Sequence, residues 1–103
     1  MFNRPDLVKQ TFLKIKELQP KYLFLAADGP RDENLEDIPK CSECKEWVLT
    51  QINWDCEVQT LFRDKNIGCG LAVGGAITWF FEHVEMGIIL EDDILPSKSF
   101  FMF

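Results

Sequence analysis

Three adjacent carboxylates, Glu91, Asp92 and Asp93, form the cluster in this sequence best suited to bind a cation. They directly follow the apolar residues 88–90, which predict a short strand buried on both faces. Neighbouring carboxylates repel one another, and a cation between them would relieve that repulsion. Oxygen ligands of this kind suit Mg²⁺ or Mn²⁺, which take one or two carboxylates together with phosphate oxygens. An acidic turn facing solvent is the alternative, and the position after a strand favours the cation site.

Two more polar residues are predicted to lie at the same edge of the molecule. Asp28 follows the apolar run 22–26 and precedes Gly29 and Pro30, where its carboxylate could accept hydrogen bonds from a base or a sugar. Taken alone, Asp28 is better explained as the side chain that closes a turn. Arg4 lies where the first predicted helix begins, a position suited to a phosphate or a base carbonyl, although by itself it is only an exposed arginine. Ligands of open α/β sheets bind at the carboxyl ends of the strands, so these residues define one candidate site.

Helices and strands alternate along the chain. Periodicity predicts helices over 5–18, 44–52 and 71–84, and strands over 22–26, 57–62 and 88–90. This order indicates an α/β fold, with a parallel, Rossmann-like sheet and helices on both faces. The first helix has no strand before it, and a further helix capped by Ser97 is cut short at the apolar residues 100–103. We therefore expect residues 1–103 to be one domain that is truncated at both ends.

Local signals place the ends and the burial of these elements. Asn3 is the predicted N-cap of the first helix, with Asp6 reaching back to it as in a capping box. Residues 31–40 are polar and predict an exposed loop. The helix over 71–84 is apolar almost all round, so we expect it to be buried between other elements. Its glycine pair 74–75 is expected to allow close packing against the sheet.

Composition narrows the classes of function. The chain has 103 residues, of which 17 are acidic and 11 basic, for a net charge of −6. Binding to nucleic acid through its phosphates needs a basic surface, so that class is not expected. An apolar run of about 18 residues, which would predict a transmembrane helix, is absent, and residues 1–6 do not resemble a signal peptide. We therefore expect a cytoplasmic protein, with homo-oligomers formed through an unpaired sheet edge and the apolar residues 100–103.

The cysteines and the histidine do not form a recognisable catalytic or metal-binding motif. Cys41 and Cys44 make a CxxC pair, but Cys56 and Cys69 stand apart, whereas a structural zinc site usually presents two close pairs. Free thiols are therefore the favoured interpretation. His83 lies near the end of the apolar helix and is better explained as a helix C-terminal residue than as a catalytic base.

Four segments of the chain occur together, and in this order, in one known family. They are FNRPD at 2–6, ADGP at 27–30, WFFE at 79–82 and GIILEDDILP at 87–96. With them the chain resembles the nucleotide-sugar-binding half of glycosyltransferases with the GT-A fold, and most nearly the N-acetylglucosaminyltransferase I-like group and its bacterial relatives. The last segment looks like the family's metal-binding DXD motif in its Glu-Asp-Asp form. The resemblance covers nearly the whole chain.

The resemblance implies a metal-dependent, inverting hexosyltransferase that moves a sugar from a nucleoside diphosphate sugar, of the uridine type, to an acceptor hydroxyl. The implied roles are base contacts for Arg4 and Asp28, a ribose contact for Asp92, support of the turn near the donor sugar for Glu91, and ligation of Mn²⁺ or Mg²⁺ for Asp93. The family's first strand, its acceptor site and its catalytic base would lie outside residues 1–103. Some relatives carry a histidine near the loop at 66–70, and this sequence has none there.

Two other classes of function stay open on the residues alone. A flavodoxin-like receiver domain also binds Mg²⁺ through clustered carboxylates, but its acidic pair follows the first strand and here the cluster follows the last. A non-catalytic nucleotide-binding module would bind the same nucleotide without transferring a sugar. Binding of a nucleoside diphosphate, together with turnover, separates these classes from the transferase.

Overall fold

Three helices and two strands alternate in the computed structural model, which describes residues 1–94. In chain order the elements are α1 (Pro5–Leu18), β1 (Tyr22–Ala27), α2 (Asp37–Gln51), β2 (Glu57–Phe62) and α3 (Cys69–Phe81). The predicted cap at Ser97 and the apolar segment 100–103 lie outside the described residues. Within residues 1–94, no helix is both long enough and apolar enough to cross a bilayer.

β1 and β2 form a parallel two-stranded sheet in which all six residues of each strand are paired. Backbone hydrogen bonds close the ladder at both ends. The Glu57 N–H donates to the Lys21 carbonyl at 2.8 Å, and the Arg63 N–H donates to the Ala27 carbonyl at 3.0 Å. The predicted α/β class and the parallel pairing are therefore confirmed for these two strands. A Rossmann-like sheet has more strands than this pair, so that part of the predicted fold stays a prediction.

The prediction of a third strand over residues 88–90 was wrong. Residues 88–90 do not adopt strand structure, and Ile88 and Ile89 are 39% and 44% exposed. A strand forms only beside a neighbour that pairs with its backbone groups. A short apolar run does not specify that neighbour, so hydrophobicity alone misassigned the segment.

Met1 lies along the edge of β1 that faces away from β2. Its ammonium group donates to the Ala26 carbonyl at 2.9 Å, and its own carbonyl accepts from the Asp28 N–H at 3.1 Å. These two contacts follow the hydrogen-bond pattern of parallel strands, in which one residue bridges two alternate residues of its neighbour. The carboxyl end of β1 is therefore hydrogen-bonded on both sides.

The core lies between the sheet and the layer formed by α1 and α2. It consists of Val8, Phe12, Leu23, Leu25, Cys44 and Val48, all of them buried. Each fully buried aliphatic or aromatic side chain of this size contributes about 1.5–3 kcal/mol. Phe12 also packs edge-on against Trp47, with ring centroids 6.1 Å apart. The spacing of Val8 and Phe12 on α1 explains why this helix turns one apolar face to the sheet.

α3 covers the opposite face of the sheet. Trp79 and Phe80 of α3 pack on Phe24 of β1, with ring centroids at 5.4 and 5.0 Å. Helices on both faces are therefore confirmed, but the expected burial of α3 was wrong, because none of its residues is buried. The sheet covers one side of the helix, and nothing else in residues 1–94 encloses the rest. A Cβ added at Gly74 would meet no atom within 4 Å, so this glycine does not serve close packing against the sheet.

The predicted cap of α1 and the predicted start of α2 differ from the structure. The N-cap of α1 is Arg4, which makes no side-chain capping bond because a guanidinium has no acceptor. The predicted cap residue, Asn3, donates its side-chain amide to Asp37 at 2.9 Å instead. α2 begins at Asp37, inside the predicted loop 31–40. Pro39 did not prevent this start, since the first turn of a helix has no internal partners for its N–H groups and tolerates proline.

Candidate functional site

The loops that follow β1 and β2 meet at the carboxyl ends of the strands. Gly29 lies so close to the second loop that a Cβ there would stand 2.6 Å from backbone atoms of Lys65. Such a distance requires glycine, because the opposing atoms are backbone and cannot swing aside. The two loops therefore form one rigid edge where ligands of α/β folds usually bind.

Asp28 ties these loops together through its carboxylate. The side chain belongs to a residue that is 7% exposed, and its Oδ1 accepts from the backbone N–H groups of Gly29 at 2.9 Å and Ile67 at 3.1 Å. Its Oδ2 accepts from the Asn66 amide at 3.0 Å. The sequence context suggested an Asx-turn, in which Asp28 would accept from the N–H two residues on, but residue 30 is a proline and has no N–H. The carboxylate instead accepts from the next residue and from the second loop. A base contact, which the resemblance implies, stays a prediction.

Asn66 is held in place as firmly as its partner. Its amide group also donates to the Gly29 carbonyl at 3.0 Å, and its own side-chain oxygen accepts from the Gly68 N–H at 3.1 Å. The residue next to it, Lys65, lines a hollow of about 240 Å³ together with Arg31, Asp32, Glu33 and Asn66 itself. This hollow is open to solvent and carries both signs of charge.

Arg4 and Asp92 come together although 88 positions separate them. The Arg4 Nη2 lies 3.1 Å from the Asp92 Oδ1, and the two side chains are 54% and 11% exposed. The Thr11 hydroxyl lies 2.9 Å from the Asp92 carbonyl oxygen and 2.8 Å from that of Ile94, so it donates to one of them at a time. These contacts hold the acidic segment against the start of α1. Two candidate residues that the sequence placed in separate motifs are therefore neighbours.

Glu91 and Asp93 flank this contact and are both exposed. The Ile94 N–H donates to the Glu91 carbonyl at 3.2 Å, so the segment forms a turn. Within residues 1–94, no three histidine, cysteine or acidic side chains are grouped closely enough to hold a metal ion by themselves. The donor set still fits Mg²⁺ or Mn²⁺ in chemical type, because these ions often take one or two carboxylates and complete their shell with phosphate oxygens and water.

An ion pair between the exposed Arg31 and the buried Asp37, beside the site, was not predicted from the sequence. Asp37 is 1% exposed, and the Arg31 guanidinium donates to it twice, from Nε at 2.7 Å and from Nη2 at 3.1 Å. The Arg31 backbone N–H and the Asn3 amide donate to the same carboxylate. The hydrogen bonds from Arg31 hold the pKa of Asp37 well below its usual value, and those from Asn3 and the backbone add to this effect.

This ion pair fixes the loop that borders the hollow. The Arg31 guanidinium also lies over the Phe2 ring, 5.6 Å from its centroid. The loop residues carry no hydrophobic periodicity, so the only available signal was an arginine six positions before an acidic residue at a helix start. That signal is too common to be decisive.

The cysteines are free thiols, as the sequence favoured. Cys41 and Cys44 are both buried in the layer of α2. Burial raises the pKa of both thiols, that of Cys44 to about 11, because the charged thiolate loses its hydration. They therefore stay protonated near neutral pH and behave as small apolar side chains.

His83 lies just after the end of α3. Its Nδ1 lies 2.8 Å from the Trp79 carbonyl oxygen, which it reaches as a donor, and its ring packs beside Phe24 with centroids 5.7 Å apart. The ring adds a second donor to this carbonyl of the last helical turn, which also accepts from the Glu82 N–H at 3.3 Å, in line with the structural interpretation of this histidine.

The chain was compared with models of protein families, with curated proteins and with solved structures, and none of the three comparisons finds a match.

Proposed function

We propose that this chain is the donor-binding portion of a metal-dependent glycosyltransferase with the GT-A fold. The enzyme would move a sugar from a nucleoside diphosphate sugar, of the uridine type, to an acceptor hydroxyl. The observation that carries the proposal is the contact between Arg4 and Asp92 at 3.1 Å. It joins the segment at the start of α1 to the acidic segment, the two motifs on which the resemblance most depends for its nucleotide contacts.

The proposed roles are those that the resemblance implies, and the exposure of Arg4 supports its part in them. Arg4 is half exposed and uses one nitrogen in its contact with Asp92, so its other N–H groups are free to donate to a base carbonyl or a phosphate. Asp92 would accept a hydrogen bond from the ribose, and Asp28, at the end of β1, from the base. Glu91 would support the turn beside the donor sugar.

Asp93 is the residue proposed to hold Mn²⁺ or Mg²⁺. Such an ion stabilises negative charge on the diphosphate as it leaves. Asp93 is exposed and adjacent to Asp92, so it can ligate an ion while Asp92 keeps its contact with Arg4. The residue that deprotonates the acceptor is proposed to follow residue 103, as the resemblance implies.

Calorimetric titration of uridine diphosphate, with and without Mn²⁺, tests this proposal. We expect Mn²⁺-dependent binding to the parent chain and loss of that binding in Asp93→Ala. Asp55→Ala is the matched control. Asp55 is an exposed acid in the loop that precedes β2, at the end of the strand away from the candidate site. Without metal, Asp93→Ala should be as stable as the parent or slightly more stable, since it removes repulsion between carboxylates.

Three outcomes would contradict the proposal. They are absence of Mn²⁺-dependent binding by the parent chain, equal binding by Asp93→Ala, and early unfolding of that variant without metal. Incubation with uridine diphosphate sugars and acceptors adds a second readout. We expect binding without transfer from this chain, because the proposed base and acceptor site are not among its residues.

A further inference from the structure

One face of α3 is exposed along its whole length. Leu71, Gly74, Thr78 and Phe81, which we call the α3 stripe, are all exposed, with Leu71 at 72% and Phe81 at 46%. Their spacing of three, four and three residues is that of the positions through which paired helices pack in a coiled coil. The Thr78 hydroxyl donates to the Gly74 carbonyl at 3.0 Å, so the stripe offers no unsatisfied side-chain donor.

The stripe is shaped for close approach of a second helix. A Cβ at Gly70 or Gly74 would meet no atom within 4 Å, so the backbone is bare at these positions. The two large side chains stand at the ends of the stripe and the small ones at its centre. In an antiparallel pair related by a twofold axis, Leu71 of one helix faces Phe81 of the other, and Gly74 faces Thr78. The large side chains of the two helices then face each other, and so do the small residues.

The distribution of charge along α3 favours a second copy of this chain, in the antiparallel orientation, as the partner. Residues 66–81 contain no charged side chain, and the first turn of α3 has no acidic residue to match its partial positive charge. Glu82, at the opposite end, is exposed beside the partial negative charge of the helix, which is unfavourable in a single copy. An antiparallel partner would place each Glu82 beside the first turn of the other α3, near Gly70.

We infer that the α3 stripe is the interface of an antiparallel homodimer. This interface keeps the charged layer of α1 and α2 of each copy on the outer side of the dimer, so that two chains of net charge −6 meet at their uncharged faces. It differs from the unpaired ends that the sequence suggested as sites of association. It does not depend on nucleotide binding.

Sedimentation velocity over a dilution series tests the interface. We expect the parent chain to dimerise reversibly, and Gly74→Glu to raise the dissociation constant about tenfold or more, because it places two like charges at the centre of the contact. The variant should fold, since its side chain enters open space and glutamate favours the helix more than glycine does. Leu13→Glu is the control, because Leu13 is an exposed leucine, 47% exposed, on α1, and it should leave the dissociation constant unchanged.

A second variant tests the orientation. Glu82→Lys should raise the dissociation constant about threefold or more, because lysine would face the positive end of the partner's helix. In a parallel dimer the two residues at position 82 face each other, and like charges meet before and after the change. Glu46→Lys, at an exposed position of α2, controls for the identical change in net charge.

A parent chain that stays monomeric throughout the dilution series would overturn the interface, whatever else covers the stripe. Equal dimerisation of Gly74→Glu and the parent would overturn it as well. An unchanged or lower dissociation constant for Glu82→Lys would overturn the antiparallel arrangement.

Discussion

Single carboxylates organise the edge of this molecule at which β1 and β2 end. Asp28 accepts three hydrogen bonds from two loops, and Asp37 accepts four, two of them from the Arg31 guanidinium. Both residues are buried. A buried acceptor whose donors converge from distant parts of the chain fixes the loops more tightly than the same bonds would in solvent.

Replacing Asp28 by asparagine separates its structural role from its proposed role in binding. The new amide group would face the Asn66 amide, so two donors would meet where an acceptor stood. We expect Asp28→Asn to lower the free energy of unfolding by about 1–3 kcal/mol, measured by urea denaturation. The exposed Asp55 gives the control variant Asp55→Asn. Stability equal to that of the parent, with loss of nucleotide binding, would mean that the carboxylate serves the ligand and not the loops.

Asp37 should make the stability of the fold depend on acid pH. The Arg31 hydrogen bonds lower its folded pKa below the ordinary value of 3.8, so the unfolded state binds protons first as the pH falls. The stabilisation is complete above the unfolded pKa and is lost progressively below about pH 5. Urea midpoints measured between neutral pH and pH 3 should fall less steeply in Asp37→Asn than in the parent. Parallel curves for the two proteins would contradict this assignment.

Part of the candidate site could be predicted from the sequence. The positions of Arg4, Asp28 and Asp92 next to predicted elements indicate a shared site, and Arg4 and Asp92 are in contact. The Arg31 and Asp37 pair was not predictable in the same way. Its members lie in a segment without periodicity, and the pairing depends on how the chain folds back over the start of α2.

Among the helices and strands, the sequence predicted best those whose bounds depend on the pattern of apolar residues along the chain. The bounds of α1 and β2 agree with the prediction, and β1 is one residue longer. α1 carries a clear helical pattern of apolar residues, β2 an alternating one, and β1 a continuous apolar run. The failures concern relations between elements, because the absence of a strand at 88–90 and the exposure of α3 depend on which neighbours are present.

The two adjacent glycines of α3 should respond differently to alanine. Gly74→Ala should raise the free energy of unfolding by about 0.5–1 kcal/mol, because it favours the helix and its Cβ meets nothing. Gly75→Ala should gain less, since its Cβ would stand 2.8 Å from the Arg63 Nη2 and that side chain must move. Urea denaturation of both variants at one protein concentration, below that at which the parent dimerises, measures the difference. Equal gains would mean that Arg63 does not rest on the helix.

At the scale of the whole molecule, the two faces of the sheet differ in character. The layer of α1 and α2 encloses the apolar core and carries charged residues on its outer side, including the contact of Lys9 with Glu43 at 2.7 Å. The layer of α3 is uncharged and rests on Phe24 of β1. The helix α3 is therefore held by few contacts on a narrow sheet. We expect it to be the part of the described chain whose packing responds most to a second molecule.

The position of Met1 has a practical consequence for how the protein can be tagged or labelled. Its ammonium group stands where a peptide N–H would stand in a further parallel strand, bonded to the Ala26 carbonyl. Acylation of that nitrogen, by a fused tag or by acetylation, keeps one N–H for this bond and removes only the positive charge. The last residues of a fused tag, which are joined to Met1, would then run beside Phe24 along the open edge of β1. An extended linker with β-branched residues can follow that edge, whereas a linker that is helical where it joins Met1 has to leave it at once.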